Sequence, residues 1–286
     1  LKRQQILLVS GGVAIFLITY LFGRTVPSGS NGPSSLPAPD SGQSQKGLDV
    51  QDILRASAAR LTPSQSAYVN RLENSVVRGD VKGQQEHAYR QLASFWKDSV
   101  REGFLLAAFY TGEAAKLENS EKSLTFAAQL FLDNLPGQDN QGLKTWMAIE
   151  AKDLFQRALA LNPRDDSAKV GLGGSYIFGA AGNPQEVMEG VRDILEVVGR
   201  DSSNMYAQLL LGLGGIESGQ FDKAIERLSK VVQNQPGNLE AVLALGEAYE
   251  RKGDRAAAIH WYQFARKETE NPDLIKALDQ RIQSIP

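Results

Sequence analysis

Two glycine clusters and two histidines are the residues whose types could carry chemistry. GLGG occurs at 171–174 and again at 212–215, beside the apolar runs SYIF and LLL. Glycines gathered in this way can bring backbone N–H groups around a phosphate when they follow a strand and open a helix. Neither cluster has the G-x-x-x-x-G-K-[ST] or G-x-G-x-x-G form, and neither follows an alternating stretch that would mark a strand. Close approach of packed helices is the better reading of both. His87, in QQEHAYR, and His260, in HWYQFAR, lie far apart in the chain. Glu86 beside His87 would point about 100° away on a helix, so the two form no pair. The chain has no cysteine, which excludes disulfides, thiolate nucleophiles and zinc–thiolate sites. No paired carboxylates, nucleophile with base, or metal-ligand spacing stands out, so no catalytic residue, metal site or cofactor is assigned. The chain reads as a non-enzyme.

The elements that would position any site begin with a charge-free stretch, Ile6–Gly23, of eighteen residues. As a helix it is about 27 Å long, enough to cross a hydrocarbon core of about 30 Å. Lys2 and Arg3 precede it and Arg24 follows, which favours a cytoplasmic N-terminus. A cleaved signal peptide is the competing reading, but the stretch exceeds a usual h-region and no A-x-A site follows it. Residues 26–45 hold four prolines, six serines and three glycines, a composition that cannot offset chain entropy by burial and is expected to stay a flexible spacer. The expected organisation is a transmembrane anchor at 1–24 and a linker at 25–47, followed by helical segments.

From Leu48 on, apolar residues recur at helical spacing. Thr62-Pro63-Ser64-Gln65 and Asn183-Pro184 have the form of helix starts, a capping side chain followed by proline. The strongest signal is a period of thirty-four, which pairs Ala207 with Ala241, Leu211 with Leu245, Gly212 with Gly246, Gly219 with Gly253, and Ala224 with Ala258. Leu228 and Tyr262, and Val231 and Ala265, follow the same interval. Two helices per period are implied, with Gly219 and Gly253 in the turns. A unit of this size cannot hide its own apolar face and must stack on its neighbours. Lys223 and Arg227, four apart, read as a solvated helix face, and a net charge of −2 speaks against nucleic acid as a partner.

This pattern resembles the tetratricopeptide repeat. Leu245, Gly246, Tyr249, Gly253, Ala258, Tyr262 and Ala265 match it in the last unit, and Leu211, Gly212, Gly219, Ala224, Leu228, Val231 and Pro236 in the unit before, where Gly215 replaces the usual aromatic. Leu172, Gly173, Tyr176, Ile194 and Val197 fit upstream with about five extra residues around Ala180–Pro184. Before them, Ala151, Phe155, Ala158 and Pro163 match a second helix; its first helix is either 121–134 ahead of an inserted loop, PGQDNQG, or has drifted. Residues 48–142 are expected to hold degenerate helical repeats, and 143–286 regular ones closed by a capping helix at Asp273–Ser284. The fold class is all-α, a helical-hairpin solenoid behind a single N-terminal transmembrane helix.

The resemblance also implies where a partner binds, in a concave groove lined by the first helix of each repeat. Carried onto this chain, the groove includes Val170, Gly174, Ile177 and Phe178, then Tyr206, Leu209, Leu213 and Ile216, then Leu243 with Glu240, Glu247 and Glu250. Such a groove is apolar with an acidic end, suited to an apolar helix or extended segment with a basic flank. The alternative is that the chain's own N-terminal helices, or a second subunit, fill it. The lysine, arginine and asparagine clamp that holds chaperone tails is absent from these positions. The expected function is a protein-interaction scaffold on the periplasmic side of a bacterial inner membrane, with a periplasmic holdase or assembly chaperone as the alternative.

Overall fold

The computed structural model describes residues 50–78, 81–100, 103–179 and 183–285. Among them are thirteen helices and no strand. These are α1 (Val50–Ala58), α2 (Pro63–Arg78), α3 (Lys82–Ser99), α4 (Phe104–Glu118), α5 (Glu121–Leu132), α6 (Gln141–Leu161) and α7 (Asp166–Gly179). There follow α8 (Pro184–Arg200), α9 (Met205–Glu217), α10 (Phe221–Asn234), α11 (Leu239–Lys252), α12 (Arg255–Glu268) and α13 (Pro272–Ser284). Consecutive helices pair as hairpins α3/α4, α5/α6, α7/α8, α9/α10 and α11/α12, stacked as a solenoid, with α13 closing on α12. No described helix is long and apolar enough to cross a membrane. The expected anchor and linker lie outside the described residues.

Local sequence explains where the helices begin. Seven of them open with an asparagine or aspartate cap, Asp165 at α7 among them. Asn204 Oδ1 accepts from the Ala207 N–H at 3.0 Å and, thirty-four residues on, Asn238 Oδ1 accepts from Ala241 at the same distance. Asn140, Asn183, Asp254 and Asn271 repeat the device. Each such cap is worth about 1 kcal/mol. At α2 the helix start closes as a reciprocal capping box: Gln65 N–H donates to Thr62 Oγ1 at 3.3 Å, and Thr62 N–H donates to Gln65 Oε1 at 2.9 Å. The turns inside the last two hairpins need left-handed backbone, with φ of 73° at Gly219 and 90° at Gly253, which glycine adopts without a Cβ clash. Between α4 and α5 Asn119, at φ 58°, does the same.

Packing within the hairpins follows the repeat register. A Cβ at Gly173 would lie 2.6 Å from Ile194, one at Gly212 2.7 Å from Leu228, and one at Gly246 2.7 Å from Tyr262. The three glycines therefore hold one structural position, where the first helix of a hairpin crosses its second. Ala207, Ala224, Val231, Ala241, Leu245, Ala258 and Ala265 are fully buried around these crossings. Between 121 and 161 the inserted-loop arrangement is the one observed: α5 pairs with a long α6, and Asn140 caps α6 directly after the insert. This hairpin runs across 142/143, where the division between degenerate and regular repeats was expected.

Two cores result. One extends from Ile53 to Leu211 and the other from Met205 to Leu278, and both draw side chains from α9. The second helix of one hairpin packs closely on the first of the next at α6–α7 and at α10–α11. At α8–α9 that contact is much thinner.

Candidate functional site

Both GLGG clusters lie in the interiors of α7 and α9, where backbone N–H groups serve the helix ladder. Each glycine faces a neighbouring helix. Gly171 meets the Phe155 ring of α6, Gly174 meets Leu132 and Leu210, Gly214 meets Ile177, and Gly215 meets Ala224. The two identical strings face different neighbours, and they serve helix contact.

The expected groove positions do not form one open surface. Val170, Phe178, Leu209 and Ile216 are buried in the core, a correction to the reading of them as groove lining. Ile177, Tyr206, Leu213 and Leu243 are half-buried. Part of the cover is α5. A Cβ at Gly174 would sit 3.2 Å from the Leu132 methyls, and Gln129 Nε2 donates to Tyr206 Oη at 2.6 Å. An earlier helix of the chain thus reaches across α7 to α9, which is the self-filling alternative in part.

The acidic end is also largely neutralised. Glu250 turns to α12 and α13, accepting from Tyr262 Oη at 2.9 Å and from Arg281 Nε at 2.9 Å. Glu247 pairs with Arg251 at 2.7 Å. Glu240 keeps surface open to water, yet its carboxyl stands above the usual carboxylate range, through burial first and then the nearby Asp133. Asp133 is raised as well, by burial, against a lowering hydrogen bond from Gln129. What remains of the acidic patch is this pair beside Tyr206, whose phenol is itself pushed up by burial.

A further concavity lies elsewhere. Where α3 and α5 part over α4, a groove of about 420 Å³ opens, floored by Thr111, Ala114 and Ala115. Its rim holds Arg90, Glu118 and Phe126. Arg90 donates to Glu118 at 2.6 Å and to Glu86 at 2.9 Å, which fixes one wall, while Phe126 stands 61% exposed on the other. Behind it Lys116 binds Glu113 at 2.9 Å and reaches Glu150 and Asp153 at 3.4 Å, tying α4 to α6. Sequence reading missed this groove because 64–118 matches the repeat pattern weakly. The available signal was the small-residue face of GFLLAAFYTGEAAKL, with Thr111, Ala114 and Ala115 at helical spacing.

His87 is exposed with its Nε2 3.1 Å from Gln91 Nε2, and His260 is exposed against the Trp261 ring. Among the described residues no group of three His, Cys, Asp or Glu side chains could hold a metal ion. Arg227 departs from the solvated face expected of it: it is half-buried and donates to Gln208 Oε1 at 2.8 Å.

Residues 216–282 match the family model of the tetratricopeptide repeat. Over 48 residues the chain is 48% identical to cellulose synthase operon protein C of Escherichia coli (strain K12), covering 17% of this chain and 4% of that protein. The putative cellulose synthase operon protein C of Escherichia coli O157:H7 gives the same values. This chain therefore corresponds to only a small part of those relatives. Among solved structures, residues 41 to the end of MamA from Desulfovibrio magneticus RS-1 are 21% identical, at a TM-score of 0.42, covering 66% of this chain and 97% of that one. YrrB, described as a TPR protein with an unusual peptide-binding site, is 16% identical at a TM-score of 0.40, covering 76% and 99%.

Proposed function

We propose, with the tetratricopeptide repeat at 216–282 as the premise, that this chain is a non-enzymatic scaffold that docks a partner protein on its solenoid. Repeats of this family are protein-interaction modules. The observation that carries the proposal is the groove between α3 and α5. Its floor of small side chains admits an apolar side chain from an incoming segment, and Phe126 on its rim offers an exposed aromatic contact. The charge-free stretch Ile6–Gly23 and the Pro/Ser/Gly spacer support anchorage in a bacterial inner membrane with the solenoid held off the bilayer on the periplasmic side.

The test is a pull-down of the full chain from detergent extract, compared with Phe126→Glu. One stoichiometric partner is expected, with its affinity lowered at least tenfold, about 1.4 kcal/mol, by the substitution at unchanged helicity. Capture of many unfolded clients, with suppression of their aggregation, would instead make the chain a holdase. Protease treatment of intact and permeabilised cells addresses topology, and protection of the solenoid until the inner membrane is breached would defeat the periplasmic placement.

A further inference from the structure

The thin seam between α8 and α9 holds a cleft bordered by two glycines. Thirty-four residues after Gly214 and Gly215 stand Ala248 and Tyr249. Ala248 is fully buried and Tyr249 packs on the second core, so in the last hairpin both positions carry side chains into the packing. In α9 the same two positions carry none. A cleft of about 160 Å³ is left, with Gly214, Gly215 and Leu211 on one side and Ile177, Val191 and Leu195 on the other.

The helix across the cleft is unusual in the same place. Ile194 and Leu228 hold equivalent positions against Gly173 and Gly212. In that register Met188 and Leu195 of α8 stand where α10 has Asp222 and Ser229. At these two positions α8 is apolar where its counterpart is polar, and both are open: Met188 is 72% exposed and Leu195 42%.

Charge completes the site. Lys223 and Arg227 of α10 line the cleft wall, and Lys230 follows one turn on. Their hydrogen bonds go to neutral acceptors: Gln220 Oε1 at 2.9 Å, Gln208 Oε1 at 2.8 Å and Ser202 O at 2.6 Å. Among the described residues none of the three has a carboxylate at ion-pair distance. On α8, by contrast, Glu186 is held by Lys152 and Glu196 by Lys169, and Arg192 lies between Glu189 and Asp193. Glu217 and Glu226, which form no ion pair, do not line the cleft. Two cations with no carboxylate at ion-pair distance, Lys223 and Arg227, therefore stand beside an apolar slot.

We infer that this cleft is a second docking site, which takes a bulky apolar side chain, an aromatic above all, from an acidic segment of a partner protein. The aromatic enters between Gly214 and Gly215 on one side and Ile177, Val191 and Leu195 on the other, exposed Met188 extends the apolar face for its neighbours, and Lys223 and Arg227 meet the flanking carboxylates. The site shares no residue with the α3–α5 groove, so Phe126→Glu leaves it intact and the two readings fail separately.

The test titrates the purified full chain with two synthetic peptides, each carrying one phenylalanine in a short apolar stretch, flanked by glutamates in one and by lysines in the other. The glutamate peptide is expected to bind and the lysine peptide to bind at least tenfold more weakly. Gly215→Tyr, which supplies the residue found at 249, plugs the cleft and is expected to abolish binding. Lys223→Glu, at an exposed position, is expected to narrow or reverse the preference without altering helicity, and it decides the matter if Gly215→Tyr does not fold. Absence of binding by the glutamate peptide, equal binding of both peptides, or a preference untouched by Lys223→Glu would overturn the inference. A chain that self-associates, and becomes monomeric on Leu195→Glu in sedimentation, would overturn it too, by making a second copy the occupant.

Discussion

The seam between α10 and α11 and the seam between α8 and α9 join hairpins built to one pattern, and their connections, 235–238 and 201–204, are equally long. At the first, Leu245 is fully buried, and Ala248 and Tyr249 follow it into the core. At the second, Leu211 keeps 8% of its surface beside a cleft that Gly214 and Gly215 leave unfilled. The backbones approach less closely at the second seam, and the space left there is bordered by two glycines. In a stacked repeat each interface is a nearest-neighbour term, so one seam can be loosened with little effect on the next. That freedom lets a solenoid carry a binding surface on a stable frame.

Substitutions at matched positions can break this contrast. The largest effect is expected for Leu245→Ala, a loss of about 2–5 kcal/mol in urea unfolding, because the cavity forms in a closed core. Leu211→Ala is expected to cost less than Leu245→Ala, since a cleft already borders the side chain; equal losses would mean the two seams are packed alike. Gly173→Ala comes next, at about 1–3 kcal/mol, because the new methyl meets the backbone carbonyl of Gly190 at 2.7 Å, which cannot rotate away. Gly199→Ala, on the same hairpin but with nothing within 4 Å, should stabilise by about 0.5 kcal/mol through helix propensity.

The smallest effect expected is electrostatic. Asp133 and Glu240 both hold their protons more tightly in the folded chain than in the unfolded one. Their contribution to stability is therefore fullest below the unfolded carboxylate pKa of about 4.3 and declines as pH rises through the folded values. Glu240→Gln removes the charge and should raise Tm slightly at neutral pH, with the gain vanishing below about pH 4. A lower Tm at neutral pH would show that a cation meets Glu240.

Much of the fold was legible because it is written in local terms. Asn204 and Asn238 cap helices in register, Gly219 and Gly253 demand left-handed turns, and the thirty-four-residue interval places each hairpin crossing. The site was less legible because a period says which face a residue takes, not what lies against that face. Leu209 and Ile216 read as groove lining by register, yet they are buried. Tyr206 is met by Gln129, seventy-seven residues earlier, which no local pattern announces. Gly215 was visible as a departure from the repeat; that it borders a cleft required the position of α8.

Hydrogen exchange on the full chain, compared between residues 184–200 of α8 and 221–234 of α10, tests the contrast most directly. Faster exchange in α8 is expected, because α9 covers its outer face less closely than α11 covers that of α10. Equal protection of the two helices would contradict the open seam.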